Sequence, residues 1–275
     1  MIKLKKCGLI ISGNSKTGLS MNWGLCSCRP TKLCTKICYA RFRDREDARR
    51  LGTSANTGPI TWGTQQKAYM RNSSIIEEAH KEDMNNVFEI KEATRLWDIA
   101  DEMAQALHNR GENNIRWNGQ GDLTYATVRL IYLLSQYGIH VWGFTRKAHE
   151  LRTLGMLLNL HGGSLNRPFF QVSIDETTKD AEDLISAAQL VSPREKRLVA
   201  LAVMAGKPSH SPQLSLEALE ARRWIDGLVY RSKVRTVFGY HTSFGHTIVG
   251  VSEECPATRG DKIVCWQCRR CWGED

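Results

Sequence analysis

The sequence has no long apolar run. No stretch approaches the roughly 20 residues that a membrane-spanning helix requires, and no N-terminal segment combines a basic start, an apolar run and a small-residue cleavage site. It also has no internal repeat and no low-complexity segment. These absences argue against helical membrane spans and against export, so we expect a cytoplasmic protein without a membrane partner.

The chain has little need of disulfide bonds. Its 275 residues, 41% of them hydrophobic, can bury a large core without covalent crosslinks. Thiols stay reduced in the cytoplasm, where closely spaced cysteines indicate metal or redox chemistry instead of structural bridges. We therefore interpret the nine cysteines as thiols.

Eight of the cysteines form two groups of four near the two ends of the chain. The first group is Cys26, Cys28, Cys34 and Cys38, and the second is Cys255, Cys265, Cys268 and Cys271. Four thiolates are the ligand set of a zinc site or an iron–sulfur cluster, so the sequence predicts one or two metal sites. The ninth cysteine, Cys7, lies in an apolar segment and is predicted to be a small buried side chain.

The spacing of the second group favours iron. Its last three cysteines form a C-x2-C-x2-C run of the kind found in bacterial ferredoxins, whereas zinc sites usually pair C-x2-C knuckles across a longer spacer. We predict a four-iron, four-sulfur (4Fe-4S) cluster, with zinc as the alternative.

The first group matches no common zinc pattern. Five residues separate Cys28 from Cys34 and three separate Cys34 from Cys38, while Cys26 is either a fourth ligand or a bystander. A set of three ligands would leave one iron open to a small molecule or a substrate. How the eight cysteines divide between sites stays open at the level of the sequence.

The charge balance of the chain is basic. Its 38 Lys and Arg residues against 29 Asp and Glu residues give a formal net charge of +9. If all eight clustered cysteines bind metal as thiolates, the balance falls to about +5. This charge is compatible with a nucleic-acid partner or an acidic substrate without requiring either.

Strands alternate with helices along most of the chain. The pattern predicts strands at 2–12, 114–118, 139–145, 169–174, 197–205 and 246–251, and helices at 64–82, 91–109, 147–160, 180–191 and 215–226, with a further helix that Gly138 ends. This order predicts an α/β fold with a mostly parallel sheet of about six strands, either open or curled into a barrel. We expect one domain, 1–250, that carries the cysteine loop 26–38, and a cysteine-rich metal-binding tail, 251–275, packed on it.

Unusual residues follow the predicted strands at their carboxyl ends, where ligands bind in parallel α/β folds. The strand at 114–118 is followed by Gly119, Gln120, Gly121 and Asp122. The two glycines permit a tight turn. Asp122 is predicted to be the N-cap of the next helix or a ligand-binding residue, and the two roles are compatible.

The cysteine loop that ends in Cys38-Tyr39-Ala40 resembles the cluster loop of radical S-adenosylmethionine enzymes, although their usual spacing is C-x3-C-x2-C. The resemblance implies a partial (βα) barrel of six strands and a three-cysteine cluster with a neighbouring aromatic residue, here Tyr39. Those enzymes have a Gly-Gly-Glu-like turn that holds the amino group of the cofactor. The resemblance therefore implies that Gly119, Gly121 and Asp122, together with Tyr39, bind S-adenosylmethionine.

A closer resemblance covers most of the chain. The family it resembles is the phage gene-product-eighty-eight family. The similar parts are the segments 14–18 and 34–40, the pairs 116–117 and 121–122, Trp142 with the pair 145–146, and the terminal cysteine run with Trp272. This resemblance implies a phage or prophage origin, hence the cytoplasm of an infected host cell, and a shared cysteine framework. It implies no particular reaction.

Two hypotheses of function follow. In the first, the chain is a phage iron–sulfur protein and a radical S-adenosylmethionine-like enzyme that acts on nucleic acid or on another phage or host macromolecule. In the alternative, it is a non-catalytic iron–sulfur or zinc protein in which the metal is structural and a basic face binds nucleic acid or a host protein. The sequence predicts neither catalytic residues nor an oligomeric state.

Overall fold

A computed structural model of the chain gives its fold. It describes residues 2–14, 18–24, 28, 59–85, 94–119, 121–160, 166–174, 178, 180–191, 201–203, 237–239 and 253–254. Four predicted site residues lie in these ranges, namely Cys28, Gly119, Gly121 and Asp122. The other predicted site residues, the predicted helix at 215–226 and the predicted strand at 246–251 lie outside the described residues.

The described strands form one sheet. They are β1 (Ile2–Lys3), β2 (Ile10–Asn14), β3 (Gly18–Ser20), β4 (Asn114–Trp117), β5 (His140–Thr145), β6 (Phe169–Ile174), β7 (Leu201–Val203), β8 (Val237–Gly239) and β9 (Glu253–Glu254). Their order in the sheet follows their order in the chain. Neighbouring strands are antiparallel from β1 to β3 and parallel from β3 to β9.

The helices of the described residues lie at the predicted places. They are α1 (Pro59–Asn85), α2 (Arg95–His108), α3 (Tyr125–Gln136), α4 (Ala148–Leu160) and α5 (Ala181–Val191). However, α1 begins at Pro59 instead of residue 64 and α2 at Arg95 instead of residue 91. Gly138, with a φ of 76°, follows α3, and the N–H of Ile139 donates back to the carbonyl of Leu134, so the predicted glycine stop is confirmed. None of these described helices is both long and apolar enough to cross a bilayer.

The helices α3, α4 and α5 connect successive parallel strands from β4 to β7. Each helix contacts the next one in the chain. Right-handed connections that always step to the next strand in the same direction place their helices on one face of a sheet. The predicted α/β fold with a mostly parallel sheet is thus confirmed.

The two faces of this sheet differ in chemistry. The helix-covered face contributes five residues to the main apolar core, namely Ile115, Trp117, Val141, Phe170 and Val172. The other face, which we call the mixed face because it carries polar and aromatic side chains, presents Ser20, Arg116, Trp142, Phe144, Phe169 and Gln171 in register across β3 to β6. Its aromatic residues form a small cluster separate from the main core.

The predicted first strand, 2–12, is wrong as a single element. The chain turns between β1 and β2 at residues 5–7, and Gly8 has a φ of 77°. The turn is fixed from α2, where the carboxylate of Glu102 accepts hydrogen bonds from the backbone N–H groups of Lys6 and Cys7 at 2.8 and 2.9 Å. The short strands β3, β8 and β9 were not predicted at all.

Candidate functional site

The turn after β4 has the unusual backbone that its glycines predict. Gly121 has a φ of 85° and Asn118 a φ of 55°, both in the left-handed region. Gly119 is required for a different reason, because a Cβ there would lie 2.5 Å from Asn22 Oδ1 and 2.7 Å from Ser20 Oγ. The turn therefore packs directly against the chain that leaves β3.

Asp122 is buried at the end of this turn and accepts hydrogen bonds from at least three groups of the described residues. These are Thr145 Oγ1 at 2.5 Å, the N–H of Leu123 at 2.8 Å and the N–H of Arg146 at 3.3 Å. Burial raises the pKa of the Asp122 carboxyl to about 6, and the hydrogen bonds oppose this shift only in part. Asp122 thus ties the turn after β4 to the loop after β5.

The predicted N-cap role of Asp122 is wrong. The N-cap of α3 is Thr124, which forms a reciprocal capping box with Thr127. Ligand binding by Asp122 stays a prediction. Each of its carboxylate oxygens already accepts from a protein donor, and this arrangement favours a role in holding the turn over direct contact with a ligand.

The segment 21–24, which leads from β3 toward the first cysteines, is buried and held on two sides. On the sheet side, the N–H of Met21 donates to the carbonyl of Arg116 at 2.9 Å. On the helix side, Ser73 Oγ in α1 accepts from the N–H of Gly24 at 3.0 Å. The chain is therefore fixed between sheet and helix two residues before Cys26.

Asn72 in α1 connects three backbone groups of this region. Its Oδ1 accepts from the N–H of Ile10 at 2.9 Å, and its Nδ2 donates to the carbonyls of Ile10 at 2.9 Å and Asn22 at 3.2 Å. The side chain is fully buried. Sequence analysis missed this residue, because a single asparagine within a polar helical segment carries no local sign of its distant partners.

The cysteine predictions largely fall outside the described residues. Cys28 is half-buried, and the proposed aromatic neighbour Tyr39 and the other seven cysteines of the two groups are not among the described residues. Within the described part of the chain no three His, Cys, Asp or Glu side chains come together as metal ligands. The predicted metal ligands therefore stay predictions.

Cys7 has a different environment from a metal-binding thiol. It lies in the turn between β1 and β2, half-buried against the apolar core, so it is less buried than predicted. Burial raises the pKa of its thiol to about 12. Since metals bind the thiolate, this thiol is a poor ligand.

Arg116 on β4 is the second residue that was not predicted as a site residue, although it belongs to one of the motifs of the family resemblance. Its guanidinium carbon lies 5.6 Å from the ring centroid of Trp142 and 5.8 Å from that of Phe144, within the range of a cation–π interaction. The alternation of β4 indicates its position, because the buried Ile115 and Trp117 flank a basic residue on the opposite face.

Comparison with known protein families places nearly the whole chain in a described family. A family model described as Gene product 88 matches residues 7–273. No curated protein and no solved structure matches the chain.

Proposed function

The chain belongs to the Gene product 88 family, a family of phage proteins, and we propose that it is an iron–sulfur enzyme related to the radical S-adenosylmethionine enzymes. One observation carries the proposal. The segment 21–24, which leads into the first cysteine group, packs against Gly119 in the turn after β4. These two segments leave parallel neighbours, β3 and β4, at the edge of the sheet where ligands bind in parallel α/β folds.

The donor chemistry of the two cysteine groups fits iron. In the first group, Cys28, Cys34 and Cys38 would hold a 4Fe-4S cluster, and Cys26 would be a fourth ligand or a bystander. The second group would hold a further cluster that anchors substrate or relays electrons. When bound, such a cluster with S-adenosylmethionine supplies one-electron chemistry that amino acid side chains lack.

The residues around this edge act by positioning. Asn72 and Ser73 hold the base of the cysteine loop. Gly119 and Gly121 let the turn after β4 approach that base closely, and Asp122 holds the turn against the loop after β5. The backbone of this turn would face the amino group of the cofactor.

The proposal includes a finer description of the fold. The sequential strand order and the single helix-covered face support a sheet that curls into a partial (βα) barrel. In such a barrel the mixed face would line the interior. Nucleic acid is the first substrate class to test there, because the chain has a net positive charge.

Metal analysis and electron paramagnetic resonance test the proposal. The protein is purified without oxygen, its iron, sulfide and zinc are measured, and the spectrum of the reduced protein is recorded with and without S-adenosylmethionine. We expect iron and sulfide, and a spectrum that changes when the cofactor is added. An unchanged iron spectrum would leave only a structural or electron-transfer cluster, and zinc alone would refute the proposal.

Two cysteine variants provide the matched comparison. Cys34→Ala should abolish the response to S-adenosylmethionine while the protein stays folded and keeps the iron bound by the second group. Cys7→Ala removes a thiol with a poor ligand environment and should leave both iron content and spectrum unchanged. Global unfolding of Cys34→Ala alone would instead support a structural metal.

A further inference from the structure

Within the described part of the chain, the mixed face carries a half-buried cation without a counterion. Arg116 lies between β3 and β5, and its Nε is buried with no hydrogen-bond partner among the described residues. No carboxylate of those residues forms an ion pair with it. By contrast, Arg95 and Arg152 on the exposed surface pair with Glu82 and Asp183.

A half-buried guanidinium without an ion pair is costly, because burial removes part of its hydration. The rings of Trp142 and Phe144 offset part of this cost. Ring contacts engage the face of a guanidinium, however, and leave the N–H donors in its plane available. Those donors match the two oxygens of a carboxylate or phosphate.

A second unsatisfied polar group lies two residues further along the chain. Asn118 is 6% exposed, and its Oδ1 is buried with no hydrogen-bond partner in the described part of the chain. Its Nδ2 donates to the carbonyl of Phe144 at 3.4 Å, which directs the side chain toward the exit of β5. Ser20, the register partner of Arg116 on β3, adds a buried hydroxyl. Unsatisfied buried polar groups are uncommon in native proteins, and two of them only two residues apart at the end of β4 indicate a site for a polar ligand.

We propose that Arg116 binds an oxyanion, the phosphate or carboxylate group of the substrate, on the mixed face of the sheet. The inference names the substrate class of the function proposed above and rests on that function for the reaction in which the anion takes part. The anion site itself requires neither iron nor S-adenosylmethionine, so its failure is distinguishable from failure of the cluster proposal.

Thermal unfolding in the presence of inorganic phosphate or acetate tests the site. At constant ionic strength, each anion is titrated into wild type, Arg116→Gln and Arg110→Gln. Arg110 is an exposed arginine just after α2, and its substitution removes the same charge at a distant place. A bound anion raises the unfolding temperature in a saturable way. We expect this rise in wild type and Arg110→Gln, and an affinity weakened roughly tenfold or more in Arg116→Gln.

The two anions distinguish the source of the oxyanion. A rise with phosphate alone identifies a phosphorylated substrate, and a rise with acetate identifies a carboxylate. Arg116→Lys keeps the charge but loses the planar fork, and it should bind more weakly than wild type even if Arg116→Gln fails to fold. The proposal would be overturned if the anions caused no saturable rise in the unfolding temperature of wild type, or equal rises in all variants.

Discussion

At the residue scale, the turn after β4 depends on two glycines, which have no Cβ. Gly121 is needed for its positive φ, whereas Gly119 is needed because Asn22 and Ser20 occupy the place of a side chain. The sequence predicts the first requirement, since a glycine in a strand-to-helix turn indicates unusual backbone. It could not predict the second, because the obstructing atoms belong to residues that are distant in the sequence.

Gly119→Ala should therefore destabilise the protein by about 1–3 kcal/mol, the usual cost of overpacking. Asn22 cannot move aside freely, because its Nδ2 donates a hydrogen bond to Ser12 Oγ at 2.5 Å and the side chain is buried. We also expect the displaced segment 21–24 to lower iron retention. Urea unfolding and iron analysis measure the two effects.

The control for this substitution is Gly111→Ala. Gly111 has a φ of 69°, and no neighbouring atom lies within 4 Å of the position that a Cβ would take there, so alanine costs only about 1 kcal/mol of backbone strain. Iron content should not change. Equal iron loss in both variants would show that the loss reflects general instability and not the contact with Asn22.

Asp122 should make stability depend on pH. Its folded-state pKa is raised from 3.8 to about 6. Its stabilising contribution to the free energy of unfolding is therefore fully present below about pH 4 and is lost as the pH rises through about 6. The loss is roughly 3 kcal/mol at most. Relative to Asp122→Asn, which does not titrate, the free energy of unfolding of wild type should fall over this range. A difference that is constant with pH would contradict the raised pKa.

At the element scale, the helices were predictable and the N-terminal hairpin was not. In α2 the apolar residues Leu96, Ile99 and Met103 recur at helical spacing and are buried, and Thr94 is a local N-cap. Both features are local in the sequence, so the helix could be predicted. The hairpin of β1 and β2 divides at residues 5–7 the segment 2–12, which was predicted as a single strand. Its turn is held by Glu102, a distant residue that no local pattern reveals.

Asn72 connects three elements, and Asn72→Ala should reduce stability by about 2–3 kcal/mol, because the substitution leaves buried backbone groups unsatisfied. It removes both hydrogen bonds to Ile10 and the one to Asn22. Since the base of the first cysteine loop loses this support, iron retention should fall as well. Urea unfolding and iron analysis of the purified variant measure both.

Ser74→Ala on the same helix is the matched control. Ser74 is exposed, and a surface substitution of this kind changes stability by no more than about 0.5 kcal/mol. A small effect of Asn72→Ala, within the range of this control, would mean that the contacts of α1 with β2 and segment 21–24 contribute little.

At the scale of the whole molecule, the fold and the predicted metal chemistry depend on different residues. The main apolar core of the described residues is built from side chains between Ile2 and Val191, and hydrophobic periodicity predicted most of the helices and strands that carry these side chains. The predicted metal ligands depend on cysteine spacing alone, and spacing carries no information on how distant groups meet. The sequence therefore predicts the α/β architecture well and the arrangement of the site poorly.

This separation predicts the behaviour of the protein without metal. Small domains that depend on a structural metal unfold when it is removed, but a chain with a core of this size should keep its helices and unfold cooperatively. We expect chelation under mildly oxidising conditions to abolish the iron signal while the far-ultraviolet circular dichroism stays largely unchanged. The thermal transition should remain single and shift to lower temperature, because bound ligands stabilise the native state. Complete loss of helical signal on metal removal would instead assign the metal a structural role, as in the non-catalytic alternative.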